Sequence, residues 1–209
     1  KGMKNLKTHA FDAKSCRVEW NNFSNLLKSK TKLSERKVVL PFFKKSINLS
    51  ALICNYFPKI TNLDCQAHEF QIYGDFVADL VVGDSSEHRY VLIEFENGEP
   101  ESVFKKKGKK STPDWAPRLE GAYSQLTDWL WKLEDMRSTG DFQNTFGSRR
   151  ATFQGLIVIG KDMNLSAQEQ DRLKWRIEKT KVDSIEISIV SFNELEEHMD
   201  AWLKRYYGV

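Results

Sequence analysis

The chain has 209 residues, of which 40% are hydrophobic and 12% aromatic, values typical of one globular domain with a substantial core. Its 32 basic and 29 acidic residues give a net charge of only +3, so total charge does not by itself indicate a nucleic-acid-binding protein. Three scattered cysteines argue against a disulfide framework or a zinc motif, and no apolar run is long enough to cross a bilayer. We therefore expect a cytoplasmic protein that does not bind membranes.

The N-terminal part of the chain is predicted to be helical and peripheral. Residues 1–32 are polar and basic, and their isolated apolar side chains have the spacing of a helix that packs one face: Val18, Trp20, Phe23, Leu26 and Leu27. Residues 33–209 are assigned to one α/β domain. Ser34 can cap its first helix, which Pro41 shortens or kinks, and a second short helix ends before Pro58.

A strand over residues 67–73 leads into a hairpin that carries acidic residues where a core is expected. Residues 91–93 form an unbroken apolar run, which is typical of a central strand buried on both faces. Beyond this run, alternation of side chains places Glu94 and Glu96 on the same face as Leu92. Two carboxylates are thus expected to project together from the end of a central strand.

The first strand of the hairpin has a similar pattern. Alternation places two acidic residues on the same face as two valines: Asp75, Asp79, Val77 and Val81. If Gly83 pairs with Tyr90, the antiparallel register sets Asp79 opposite Glu94, with carboxylates about 5 Å apart. Like charges this close repel each other, and without a Lys or Arg on that face a divalent cation with oxygen ligands is the simplest partner. Two solvated strand-end carboxylates are the alternative interpretation.

The hairpin is followed by a long loop, residues 97–116, rich in Gly, Pro, Ser and Lys, whose length indicates a functional or a disordered segment. Pro117 can begin a helix that continues to about Met136, keeps a 3.6-residue apolar period and covers the sheet. A polar connection then leads to a third central strand over residues 152–159.

The C-terminal third alternates helices with a strand. Two capping boxes predict helix starts, Ser166 with Glu169 and Ser191 with Glu194, and three alternating isoleucines between them predict a strand. The order of elements predicts an α/β fold with a mixed central sheet flanked by helices.

The acidic pattern resembles the core of the PD-(D/E)XK nucleases, with Glu96 at the position where that superfamily usually has Lys. A more specific likeness is carried by five blocks in order, and together they resemble the nuclease domain of the Shedu antiphage-defence proteins over about residues 34–203: SERKVVLPFFKK, GDFVADLVV, YVLIEFENGEP, APRLEGAYSQLTDWLWKLED and FQGLIVIGKD. The resemblance implies a restriction-endonuclease-like sheet, metal-dependent cleavage of DNA in bacterial defence, and assembly into homo-oligomers.

The resemblance also implies roles for particular residues. Asp79 and Glu94 would hold Mg²⁺ or Mn²⁺, with the carbonyl of Phe95 as a further ligand. Glu96 would accept the proton of the attacking water or bind a second ion. Gln125, on the helix that covers the sheet, would support the metal-bound water or the substrate phosphate; an ordinary surface amide is the alternative. Asp79, Glu94, Glu96 and Gln125 are thus the candidate catalytic residues.

DNA contacts are predicted in the loop after the acidic strand and in the first turn of the covering helix. The candidates are basic: Lys105, Lys106, Lys107, Lys109, Lys110 and Arg118. A solvated loop is the alternative for the lysines. Trp115, Trp129 and Trp131 are candidates for base stacking or for the core, which is favoured for Trp129. Glu69 is a candidate for an additional acidic ligand.

Two functions are favoured by the sequence over a third, a purely structural interaction module, which gives the acidic residues no role. The first is a metal-dependent DNA endonuclease. The second is an inactive domain of the same fold that binds or senses nucleic acid, because Glu96 in place of Lys can also mean that cleavage has been lost.

Overall fold

A computed structural model describes residues 6–105 and 111–209. Seven strands form one mixed sheet in the order β1-β2-β3-β4-β7-β9-β8, and two short strands form a separate ribbon, β5-β6. The strands are β1 Lys7–Thr8, β2 Cys65–Ile72, β3 Phe76–Asp84, β4 Arg89–Phe95, β5 Phe104–Lys105, β6 Asp114–Trp115, β7 Thr152–Val158, β8 Lys181–Val182 and β9 Ile185–Val190.

Helices cover both faces of this sheet, which confirms the predicted α/β fold. The α-helices are α1 Ala13–Ser29, α2 Leu40–Lys45, α3 Ile47–Leu52, α4 Pro117–Met136, α5 Gly140–Phe146, α6 Ala167–Lys179 and α7 Phe192–Trp202. Helices α1, α2, α3 and α7 contribute to the apolar cluster on one face, whereas α4, α5 and α6 pack on the other. Helix α1 buries Cys16, Phe23 and Leu27 and exposes Val18, so it packs through one side.

Strand β4 lies in the middle of the sheet, between antiparallel β3 and parallel β7. Residues 91–93 are fully buried, as the unbroken apolar run predicts. Gly83 pairs with Tyr90, which confirms the predicted register of the hairpin. Glycine is required there because a Cβ would lie 2.4 Å from the Tyr90 ring and 2.6 Å from the carbonyl oxygen of Arg89.

The alternation of β3 is interrupted next to Asp79. Ala78 and Val81 belong to the same apolar cluster although they are three residues apart, and Val77 is 47% exposed. The expectation that Val77 and Val81 lie on the same face of β3 is therefore wrong. In β2, the ladder omits Glu69, whose φ is +51° and which lies at the register position opposite Asp79. An irregularity in both strands at one level thus breaks the two-residue period.

The loop between α4 and β7 also differs from expectation, because it contains helix α5 where a polar connection is predicted. Thr139 caps α5, Phe142 and Phe146 are buried one turn apart, and Gly147 ends the helix at φ +74°. Both predicted capping boxes, at Ser166 and Ser191, are present. Within residues 6–105 and 111–209, no helix combines the length and the apolar character needed to cross a membrane.

Candidate active site

The candidate site lies where β4 ends, at the carboxyl edge that β4 shares with parallel β7. Glu94 is 6% exposed and Glu96 8% exposed, so both carboxylates are taken out of water. Phe95, between them, points to the opposite face, where its ring stacks on Phe43 of α2 at 4.6 Å. This packing fixes the end of the strand and holds the two glutamates on the side of α4.

Asp79 and Glu94 face each other across β3 and β4, as the register predicts. The two residues occupy the next opposed positions beyond the Leu80–Ile93 pair, and each carboxyl group affects the pKa of the other. Asp79 Oδ2 accepts the backbone N–H of Phe95 at 2.9 Å. The paired ladder of β3 and β4 stops at Leu80 and Ile93, so the side chain of Asp79 satisfies a donor of β4 beyond the last pair. Asp79 is thereby held at the strand end.

Helix α4 brings Gln125 onto the same carboxylate. Gln125 Nε2 donates to Glu94 Oε1 at 2.9 Å. Leu119, Ala122, Leu126 and Trp129 bury the helix against the sheet, and this packing sets the height of Gln125 above β4. Gln125 is therefore positioned at the candidate site, although what it does there stays a prediction.

Arg118 lies on the same helix, seven residues before Gln125 and hence about two turns away. Its Nη1 donates to Glu96 Oε2 at 3.1 Å. The expectation that no Lys or Arg approaches this face is wrong, because Arg118 reaches it from a segment that is distant in sequence. Alternation within a strand gives no information about a residue that a covering helix supplies.

Glu35 is a member of the site that sequence reasoning missed. It begins the π-helical turn Glu35–Val39, and its backbone N–H donates to Asn97 Oδ1 at 2.9 Å, which ties it to the segment just after β4. Its charge contributes to raising the pKa values of Asp79 and Glu94, and the charge of Glu96 contributes to raising the pKa of Glu35. An acidic residue after an N-cap serine is ordinary in any helix, so the sequence carries no local signal of this role. Asp79, Glu94, Glu96 and Glu35 are called the acidic cluster below.

Burial and mutual repulsion set the protonation of the acidic cluster. Burial, together with the charges of Asp79, Glu96 and Glu35, raises the pKa of Glu94 well above its ordinary value. Burial likewise raises the pKa of Asp79, against the opposing effect of the Phe95 N–H. Burial and the charge of Glu96 raise the pKa of Glu35. Burial and repulsion therefore favour the protonated form of the Asp79–Glu94 pair.

The acidic cluster offers few side chains to a metal ion. Among the residues that the structure describes, no three His, Cys, Asp or Glu side chains are arranged to enclose one. Glu69, considered as an additional ligand, forms an ion pair with Lys44 at 2.7 Å instead. Asp79 and Glu94 are thus the facing acidic pair of the described site.

The predicted DNA-contact residues fall in different parts of the molecule. Lys105 is exposed on the β5-β6 ribbon, Arg118 contacts Glu96, and Lys106, Lys107, Lys109 and Lys110 lie outside the described residues. The base of the ribbon is fixed by Trp115, which stacks on Phe104 at 4.5 Å and lies under Arg172 and Arg176 of α6. Trp129 is in the core, as expected, and Trp131 is 59% exposed.

Comparison with known proteins identifies the family. The family described as Shedu protein SduA, C-terminal, matches residues 32–195, which include the acidic cluster, Arg118 and Gln125. A search of curated proteins gives no match. Because the match extends over most of the chain, this protein belongs to the family of the C-terminal region of the Shedu protein SduA.

Proposed function

We propose that this chain is a metal-dependent DNA endonuclease that hydrolyses phosphodiester bonds. Membership of the Shedu family associates the chain with antiphage defence, and cleavage of DNA is a chemistry that serves this role. The observation that carries the proposal is that half-buried Asp79 and buried Glu94 face each other at the end of a central strand. Two acids held side by side away from water repel each other when they are ionised. A cation bound between them would offset this repulsion, which is why such a pair indicates a functional site.

The donor set fits Mg²⁺ or Mn²⁺. Both carboxyl groups offer hard oxygen atoms, and Mg²⁺ is commonly held by one or two carboxylates while water and substrate phosphate complete its octahedron. A site with two protein carboxylates, such as Asp79 with Glu94, matches this pattern. The carbonyl of Phe95 is a further candidate ligand. A bound divalent ion supplies activation of water and stabilisation of negative charge on the phosphate.

The surrounding residues have distinct tasks in this proposal. Glu94 must give up its proton before it binds a cation, and the hydrogen bond from Gln125 Nε2 then stabilises the charged form. Gln125 keeps a second amide hydrogen with which to orient a water or a phosphate oxygen. Glu96 lies beside this pair, and the lysines at residues 105–110 would contact the DNA backbone outside the site.

A direct test is cleavage of plasmid DNA in circular and linear form, with Mg²⁺, Mn²⁺ or EDTA. We expect metal-dependent nicking or cutting that Glu94→Ala abolishes. Glu178→Ala is a matched control, because Glu178 lies on α6 and is paired only with Lys174 at 3.9 Å in the described structure. DNA binding without cleavage under any of these conditions would instead support the second candidate, a non-cleaving domain that binds nucleic acid.

We further propose that the chain acts as a homo-oligomer. Light scattering coupled to size exclusion, with and without DNA, measures the number of subunits. A mass of 24.3 kDa under both conditions corresponds to a monomer and would refute this part of the proposal.

A further inference from the structure

Glu96, one of the candidate catalytic acids, forms an ion pair with Arg118. Glu96 has an 11% exposed side chain and is paired through a single Arg118 nitrogen, Nη1, at 3.1 Å. The Arg118 side chain is 48% exposed. The guanidinium thus has one nitrogen on the buried carboxylate, while a large part of the Arg118 side chain stays open to solvent, where a bound molecule can reach it.

Helix α4 aims Arg118 and Gln125 at neighbouring acids on one strand. Arg118 contacts Glu96 and Gln125 contacts Glu94, and these two glutamates are alternate residues of the chain that project to one side. Between the two donors, Ala122 is fully buried, and its small side chain leaves room for the approach of the helix to the strand end. Arg118 is therefore placed within the same site as the Asp79–Glu94 pair and not at a distant surface.

We propose that Glu96 is a positioning residue that holds Arg118 over the site, and that the Arg118 guanidinium contacts the reacting phosphate of DNA; this inference rests on the proposed nuclease function. A guanidinium offers five N–H donors in a planar fork, so one can remain on Glu96 while others bind phosphate oxygens. The cation at this site thus comes from α4, and the residue on β4 is the acid that orients it.

This assignment predicts that a cation placed at position 96 can replace the one lost from position 118. Arg118→Ala removes the cation and lowers kcat about 100-fold, as expected when one donor to developing negative charge is lost. Glu96→Lys combined with Arg118→Ala places a cation on β4 instead and restores kcat to within about tenfold of the wild type. Glu96→Gln leaves Arg118 in place but less well oriented, and reduces kcat by about tenfold.

Mn²⁺ affinity, measured by calorimetry or electron paramagnetic resonance, gives a readout that does not require cleavage. Glu96→Gln should change the Mn²⁺ dissociation constant by less than about threefold, because the acid binds Arg118 rather than the ion. Arg205→Ala is the matched arginine control, since Arg205 lies in the C-terminal turn over Leu203–Tyr207. Thermal unfolding of each variant establishes that it is folded.

Two outcomes overturn the inference. In the first, Glu96→Gln abolishes cleavage and weakens Mn²⁺ binding more than tenfold, so that Glu96 is itself a ligand or a base. In the second, Arg118→Ala changes only KM, or the double variant stays as inactive as Arg118→Ala. A wild-type protein that binds Mn²⁺ but cuts no DNA would refute the proposed nuclease function. The two outcomes above can be observed only if the wild type is active, so the two kinds of failure are distinguishable.

Discussion

At the scale of single residues, the charge of Glu94 is controlled by the groups that touch it. Its carboxyl group faces Asp79 across the hairpin and accepts a hydrogen bond from Gln125. Asp79 favours the protonated form of Glu94 by repulsion, whereas the amide hydrogen of Gln125 favours the ionised form. In the proposed nuclease, Gln125 would therefore help to prepare Glu94 for a cation.

We predict that Gln125→Leu lowers cleavage by about 10- to 100-fold and weakens Mn²⁺ binding, since the ionised form of Glu94 loses a buried donor. Initial rates over a range of Mn²⁺ concentrations measure both effects. Gln143→Leu is the matched control, because Gln143 is an exposed glutamine on α5. Equal rates in wild type and Gln125→Leu would show that Gln125 is an ordinary surface amide.

At the scale of elements, the β3-β4 hairpin is held in register by the acid at its tip. Asp84 is fully buried and accepts six hydrogen bonds, three on each oxygen, from Thr61, Asn62, Ser86 and Glu87. Burial alone would raise the pKa of this carboxyl, but the hydrogen bonds outweigh burial and hold the pKa well below its ordinary value. The register that joins Asp79 to Glu94 thus depends on an acid far from both.

Asp84→Ala should lower the free energy of unfolding by about 3 kcal/mol, because several buried donors lose their acceptor. The folded-state pKa of Asp84 lies below its unfolded value, so its contribution is present above about pH 4 and is lost as the pH falls further. Urea unfolding at pH 7 and pH 3 measures this difference. Asp171→Ala, on the exposed side of α6, should change stability by less than about 0.5 kcal/mol. A similarly small effect of Asp84→Ala would contradict the prediction.

At the scale of the whole molecule, the nearly neutral net charge of +3 conceals an unequal distribution. The acidic cluster gathers four carboxyl groups at one edge of the sheet, from β3, β4 with its C-terminal extension, and the turn before α2. Because repulsion grows as these groups ionise, the stability of the folded state is expected to fall at high pH unless a cation is bound.

We predict that the stability of the metal-free protein falls by on the order of 1–3 kcal/mol between about pH 5 and pH 9. The folded-state pKa values of Asp79 and Glu94 lie above the unfolded values. Their protonated forms therefore stabilise the fold at low pH, and this contribution is lost as the pH rises through the folded-state values. Unfolding in EDTA across this pH range provides the measurement.

Mg²⁺ or Mn²⁺ should raise the melting temperature more at pH 8.5 than at pH 6, because the ion competes with a proton for Glu94. Glu94→Gln should flatten both the pH dependence and the metal response. Identical pH profiles for the wild type and Glu94→Gln would show that the acidic cluster does not control stability.

The sequence alone was sufficient for the elements with a strong local signal. Helix α4 begins at Pro117 and ends at Met136 as predicted, both capping boxes form, and the Gly83–Tyr90 pair sets Asp79 against Glu94. These features follow from backbone sterics, side-chain capping and a period of two or 3.6 residues, all of which act over a few residues. The roles of Asp79, Glu94, Glu96 and Gln125 in catalysis stay predictions.

Other features were decided only by the tertiary structure. Glu35 reaches the acidic cluster from the turn before α2, Arg118 reaches Glu96 across 22 residues, and α5 is stabilised by burying Phe142 and Phe146 against the sheet. The interruption of the side-chain alternation in β3 at Asp79 accompanies an irregular residue, Glu69, in the neighbouring strand. Each depends on which distant segments pack together, and the periodicity of the local sequence does not show which segments these are.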